Sequence, residues 1–141
     1  MKGFGTVFVA ASLLQIVLVS AKVPDWVTPE MLAMVKDDKE TCMSTHSTTQ
    51  DMIDQVDNGF VPDIRSLKCY MHCLFEAISM IDEDGNLEVE LMTGMLPENM
   101  QDDARNVLDK CSKEDGADEC EKVYNIATCI GKANPKLMVI I

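Results

Sequence analysis

The apolar positions of this chain recur at helical spacing for most of its length. Met31, Leu32, Met34 and Val35 form a stripe that leads to Cys42. Thr28-Pro29-Glu30 precedes it and has the form of a helix start: a hydroxyl to cap, a proline at the first position and an acid in the first turn. Thr48-Thr49-Gln50-Asp51 offers a second start, and Asn58-Gly59 a matching stop. The third helix is the clearest and spans residues 66–81. Its polar residues Lys68, His72, Glu76 and Ser79 fall on one narrow strip, while Leu67, Tyr70, Cys73, Leu74, Ala77, Ile78 and Ile81 cover the rest. So little polar surface predicts a central helix, with the strip, His72 included, turned to solvent.

Asp82-Glu83-Asp84-Gly85-Asn86 reads as a turn, followed by a short helix through Leu91, Met92 and Met95. A fifth helix is expected over residues 97–111, with Met100, Ala104, Val107 and Leu108 inward. A sixth is expected over residues 118–131, where Val123, Tyr124, Ala127 and Ile130 share a face. No alternating strand pattern of useful length and no internal repeat interrupts this series. The fold class is therefore all-α, a compact six-helix domain.

Six cysteines change the picture: Cys42, Cys69, Cys73, Cys111, Cys120 and Cys129. Cys69 and Cys73 are i and i+4 and share a helix face. Cys120 and Cys129 are nine apart, about 900° of rotation at 3.6 residues per turn, and so lie on opposite faces of one helix. That helix can be stapled to two different neighbours. The amino-terminal stretch sets the compartment. Lys2 is its only charge, an apolar run over residues 7–19 follows, and Val19-Ser20-Ala21 places small residues where a signal peptidase cuts. Residues 1–21 are read as a signal peptide and residues 22–141 as one exported domain with three disulfides.

Charge excludes some partners. Twelve Lys and Arg stand against 24 Asp and Glu, a formal net charge of −12. A nucleic-acid partner needs a basic footprint, and so does an anionic membrane surface. No further stretch approaches membrane-spanning length, so no membrane insertion is expected. Catalytic and metal chemistry also fail on inspection. Asp82-x-Asp84-Gly85 hints at a calcium loop, but aligning Gly85 with the loop glycine puts Met80 and Leu91 where the end ligands belong. Cys69-x-x-x-Cys73 with His72 does not fit zinc spacings. No Gly-x-Ser-x-Gly nucleophile motif occurs. No metal, cofactor or catalytic residue is expected, and the acids read as a solvated face.

Eleven methionines in a chain with only 5% aromatics suit a surface that accepts flexible apolar molecules, although ordinary core filling explains any single one. The amphipathic faces nominate Leu32, Val35, Ile53, Leu74, Ile78, Met92, Met95, Leu96, Leu108 and Ala127 as a pocket lining, with Tyr70 or Tyr124 as polar handles. After Lys136 the chain reads Leu-Met-Val-Ile-Ile. Such a tail is expected to fold back over the cavity rather than remain in water, adding Leu137, Met138 and Val139 to the lining. Asp57, beside the Asn58-Gly59 turn, is the candidate pH-sensitive latch for that tail, with the sign left open.

The cysteine pattern, with its three-residue and eight-residue gaps, resembles that of the insect odorant-binding proteins. Asp25-Trp26-Val27, Cys42-Met43-Ser44, Thr48-Thr49-Gln50, Cys69-Tyr70-Met71, Leu96-Pro97 and Tyr124-Asn125 carry the same likeness, which extends over nearly all of residues 22–141. The resemblance implies six helices around a closed apolar cavity and the pairing Cys42–Cys73, Cys69–Cys120 and Cys111–Cys129. It implies non-enzymatic carriage of a small hydrophobic semiochemical through sensillar lymph to a membrane odorant receptor, by a monomer or weak homodimer. Three alternatives stay open: a carrier of the same fold in a non-olfactory secretion, a secreted enzyme, and a secreted protein-interaction module.

Overall fold

A computed structural model describes residues 23–141; the expected signal peptide lies outside the described residues. Among the described residues seven α-helices follow in order: α1 (Pro29–Met34), α2 (Lys36–His46), α3 (Gln50–Ile53), α4 (Arg65–Ala77), α5 (Val89–Gly94), α6 (Glu98–Cys111) and α7 (Glu119–Ala133). A 3₁₀ turn over Pro135–Leu137 leads into the tail. Among the described residues the only β pairing is two isolated bridges, Asp57 with Phe60 and Ile81 with Leu87. The chain is all-α.

The starts follow from local chemistry. Thr28 accepts a hydrogen bond from the Met31 amide, Thr49 from the Met52 amide and Asp118 from the Glu121 amide, each satisfying a donor the first helical turn leaves free. Three boundaries differ from the sequence expectation. The first helix breaks at Val35, whose φ of −97° and ψ of 0° interrupt the helical backbone and separate α1 from α2. The second stops at Ile53 instead of running to Asn58-Gly59, because Asp57 and Phe60 pair main chains across a tight turn with Asn58 and Gly59 at positive φ. The third ends at Ala77, and Ser79 turns left-handed so that Ile81 can pair with Leu87 across the Asp82 to Asn86 turn. The expected six helices thus become seven.

The predicted central helix is α4. Leu67, Tyr70 and Met71 are fully buried, and α4 packs against both α7 and α2. Three disulfides fix these contacts: Cys42–Cys73 joins α2 to α4, Cys69–Cys120 joins α4 to α7, and Cys111–Cys129 joins α6 to α7. Each typically contributes about 2–4 kcal/mol by constraining the unfolded chain. Cys120 and Cys129 do leave opposite sides of α7, toward α4 and α6.

The polar strip of α4 is not simply solvated. Lys68 is buried, its ammonium 2.6 Å from Asp63 and 2.8 Å from Glu121, and 4.1 Å above the Tyr124 ring centroid. Burial pulls its pKa down, but the two carboxylates outweigh this and hold it above the ordinary lysine value. His72 is half-buried with Nε2 3.5 Å from Glu119, so the expectation of a solvent-facing histidine is corrected. Arg65 pairs with Asp118 at 2.8 Å. Only Glu76 and Ser79 of the strip are exposed. The other members face α7, whose first turn carries the acids that meet them.

One close approach sets the end of the fold. The Gly59 turn presses on α7 at Gly131, so that a Cβ on Gly59 would sit 2.2 Å from the Gly131 carbonyl oxygen and one on Gly131 would sit 2.1 Å from that of Gly59. Only glycine fits at either position. Just beyond, Asn134 donates from Nδ2 to Asp103 at 2.7 Å and accepts from the Lys136 amide at 3.1 Å. This ties the end of α7 to α6 and turns the chain back across the helices.

Candidate functional site

An apolar cavity of about 360 Å³ lies among the helices. Its wall is built in layers. Trp26 and Val27 come from the segment before α1, and Met31, Leu32 and Met34 from α1 itself. Val35 at the break and Asp38 from α2 continue it. The far side is Leu74, Phe75, Ala77, Ile78 and Met80 from α4 and the turn after it. Met92, Met95 and Leu96 come from α5 and its end, Leu108 from α6, and Ala127 and Ile130 from α7. The returning tail closes the wall with Leu137, Met138, Val139 and Ile141.

Most of the nominated lining is brought together here: Leu32, Val35, Leu74, Ile78, Met92, Met95, Leu96, Leu108, Ala127, Leu137, Met138 and Val139. Three nominees fall elsewhere. Ile53 is a core residue of α3 that borders a second hollow. Tyr124 lies under the Lys68 ammonium, and Tyr70 is fully buried with its hydroxyl donating to the main-chain oxygen of Ile141. Neither tyrosine is a polar handle of the cavity. In both cases the ring is drawn off by a partner far away in sequence, Lys68 on another helix or Ile141 in the tail. Burial raises the Tyr70 pKa well above the ordinary phenol range, so its hydroxyl stays protonated and able to donate.

Asp57 is exposed, and its main chain is engaged with Phe60. The hydrogen bond that holds the tail comes from Tyr70 instead. Sequence reasoning also passed over Trp26, Met31, Met34, Phe75, Met80, Ile130 and Ile141. Met31 and Met34 belong to the stripe already visible before Cys42, and Ile130 is one turn beyond Ala127. Trp26 carries no such signal, because it precedes the first helix and no periodicity reaches it.

The second hollow, about 820 Å³, shares part of its lining with the first and is larger but of mixed polarity. Lys36, Lys39, Asp54, Asp57 and Lys136 stand around it beside Gly59 and Ile140. Charged rims keep their water, so this space is poorly suited to stripping an alkyl chain of its hydration. Leu32, Val35, Met138 and Ile141 border both spaces and form the partition between them. Among the described residues no group of His, Cys, Asp and Glu could hold a metal ion, and no helix is long and apolar enough to cross a membrane.

The described residues form a disulfide-braced helical shell around an apolar cavity, and this fold is shared with solved insect odorant-binding proteins. The chain belongs to the PBP/GOBP family, whose pattern matches residues 25–133. General odorant-binding protein 69a of Drosophila melanogaster is 24% identical over 113 residues, which cover 79% of this chain and 76% of the fly protein. The crystal structure of a medfly odorant-binding protein superposes with a TM-score of 0.62 at 26% identity, covering 72% of this chain and 89% of that one. A fatty acid binding protein from the oral disk of the blowfly Phormia regina, also an odorant-binding protein by name, gives a TM-score of 0.62 at 26% identity over 75% of this chain and 93% of its own.

Proposed function

We propose that this protein is a secreted, non-enzymatic carrier that takes one small hydrophobic odorant or pheromone into its apolar cavity and conveys it through sensillar lymph to a membrane receptor. In this reading residues 1–21 are removed on export and residues 22–141 form the carrier domain. The observation that carries it is the cavity itself: about 360 Å³ with aliphatic, thioether and aromatic side chains on nearly every side. That volume lies in the range of small-molecule sites. Moving an alkyl chain from water into such a space gains about 25 cal/mol per Å² of apolar surface. Micromolar affinity needs only about −8 kcal/mol, which shape filling and one polar contact supply.

The proposed binding residues are the cavity wall, with Leu74, Met92, Leu108 and Ala127 at its core and Leu137, Met138 and Val139 as its lid. Methionine side chains bend without breaking rotamer rules and fit ligands of differing shape. The disulfides support a hollow interior by fixing the helices that surround it. A second reading, carriage in a non-olfactory secretion, draws on the oral-disk source of the blowfly relative; tissue localisation of the protein separates it from the olfactory one. The experiment for the shared reading is displacement of a fluorescent lipid probe from the oxidised, purified chain by volatile esters, ketones and alcohols. Saturable single-site displacement supports carriage. No probe uptake by correctly disulfide-bonded protein overturns it.

A further inference from the structure

We infer that the carboxylate of Asp38 is the polar contact point of the apolar cavity, and that it selects apolar ligands ending in a hydroxyl over those whose oxygen only accepts. The inference rests on the carrier reading and names the chemical class of ligand that such a carrier would hold best. Asp38 is half-buried and stands in the cavity wall, in the first turn of α2. Its place on that helix turns it inward. Cys42, four residues on, is buried and bonded to Cys73 of α4. Residues four apart share a helix face, so Asp38 lies on the face of α2 that is stapled to α4. Immediately after Cys73, α4 gives Leu74 and then Ala77 to the same cavity. Asp37 and Glu40, on other faces of α2, are exposed and do not line it.

The carboxyl group has no hydrogen-bond or ion-pair partner among the described residues. The cations nearest in sequence are turned elsewhere: Lys36 pairs with Glu40, and Lys39 borders the second hollow. Nor is the group sealed, since its oxygens are not among the buried polar atoms shut off from contact. The rest of the wall offers no alternative. Trp26 carries the only other side-chain nitrogen or oxygen in the lining, and its Nε1 is shut off. The main-chain oxygen of Ile141 is taken by the Tyr70 hydroxyl. The remaining lining side chains are hydrocarbon or thioether.

A carboxylate accepts hydrogen bonds and donates none. A ligand hydroxyl donates to it, and a hydrogen bond to an ionised acceptor is roughly twice as strong as a neutral one. An ether, ketone or ester oxygen brings only lone pairs. It displaces water from the carboxylate and returns no hydrogen bond, and selectivity follows from that unreturned desolvation.

The test compares a medium-chain primary alcohol with its isomeric methyl ether on the full oxidised chain at neutral pH, by displacement of a fluorescent lipid probe. Two variants accompany the wild type. Asp38→Leu removes the acceptor, and Asp38→Asn keeps the size and one acceptor oxygen but not the charge. The ratio of alcohol to ether affinity is expected to fall about tenfold in Asp38→Leu, the scale of one hydrogen bond to a charged group. In Asp38→Asn it is expected to fall by less. If the ratio is the same in wild type and both variants, whatever happens to their thermal midpoints, Asp38 only balances the positive start of α2 and the inference is wrong, while carriage stands. If the wild type takes up neither the probe nor either ligand, this inference and the carrier reading fall together.

Discussion

The hydroxyl of Tyr70, in the middle of the central helix, donates a hydrogen bond to the main-chain oxygen of Ile141, 71 residues away. This one contact anchors the apolar tail to α4 and so completes the cavity wall. Tyr70→Phe removes the donor and keeps the ring. A net loss of about 0.5–1.5 kcal/mol from tail docking is expected, seen as faster amide exchange over residues 137–141 and weaker probe binding. Asp57→Asn serves as the control and is expected to leave both unchanged; the reverse result would move the latch to Asp57.

The same contact has a defined pH dependence. Burial raises the Tyr70 pKa above its ordinary value of 10.0. A group with a higher pKa in the folded state stabilises in its protonated form, so its contribution is whole below about pH 10 and is lost as pH climbs through the raised value. Tyr70 therefore holds the tail equally at mildly acid and neutral pH. Probe affinity of wild type divided by that of Tyr70→Phe is expected to stay constant across that range; a ratio that changes there would show that another titrating group governs the contact.

Removing residues 137–141 opens the wall between the apolar cavity and the charged hollow beside it. Met138 and Ile141 border both spaces. The truncated chain is expected to fold, since its three disulfides lie upstream. It should bind apolar ligands at least about tenfold more weakly, corresponding to roughly 1.4 kcal/mol. Calorimetry at neutral pH checks this, and equal affinities would reduce the tail to a passenger.

Filling the cavity tests its location. Leu74→Trp and Met92→Trp place a large ring into the space from two different helices, α4 and α5. Either should compete with ligand and reduce probe affinity. Near-ultraviolet circular dichroism confirms that packing survives, since overpacking costs about 1–3 kcal/mol. Undiminished binding in both folded variants would mean that the ligand sits elsewhere.

Lys68 separates stability from binding. Its ammonium joins Asp63 and Glu121, and none of the three lines the cavity. Lys68→Met keeps the stem but leaves those acids uncompensated. Glu121 is half-buried and Asp63 largely exposed, so the cost is discounted to about 1–3 kcal/mol from that of a fully buried pair. A lower thermal midpoint with unchanged ligand affinity is expected; a large affinity loss would show that the α4–α7 clamp shapes the cavity.

Local sequence sets the helices of this protein and their inner faces. Periodicity over α4 and α7, caps such as Thr28 and Asp118, and the relative phase of Cys120 and Cys129 are local properties. Each depends on residues within a few turns of one another, which is why they can be read along the chain. The nomination of Leu74, Leu108 and Ala127 came from the same local signal, because an inward face is inward whether it meets a core or a cavity. That last distinction was beyond the sequence. A hollow interior depends on how far apart α4, α6 and α7 are held, and this is a sum over contacts distant in sequence. The partners of polar groups were hidden for the same reason. Lys68, read as solvated, meets Glu121 and Tyr124 only once α7 lies beside α4. Tyr70, read as a ligand handle, is claimed by Ile141 only once the tail turns back at Asn134. Trp26, outside every helix, acquired its place in the wall from tertiary packing alone.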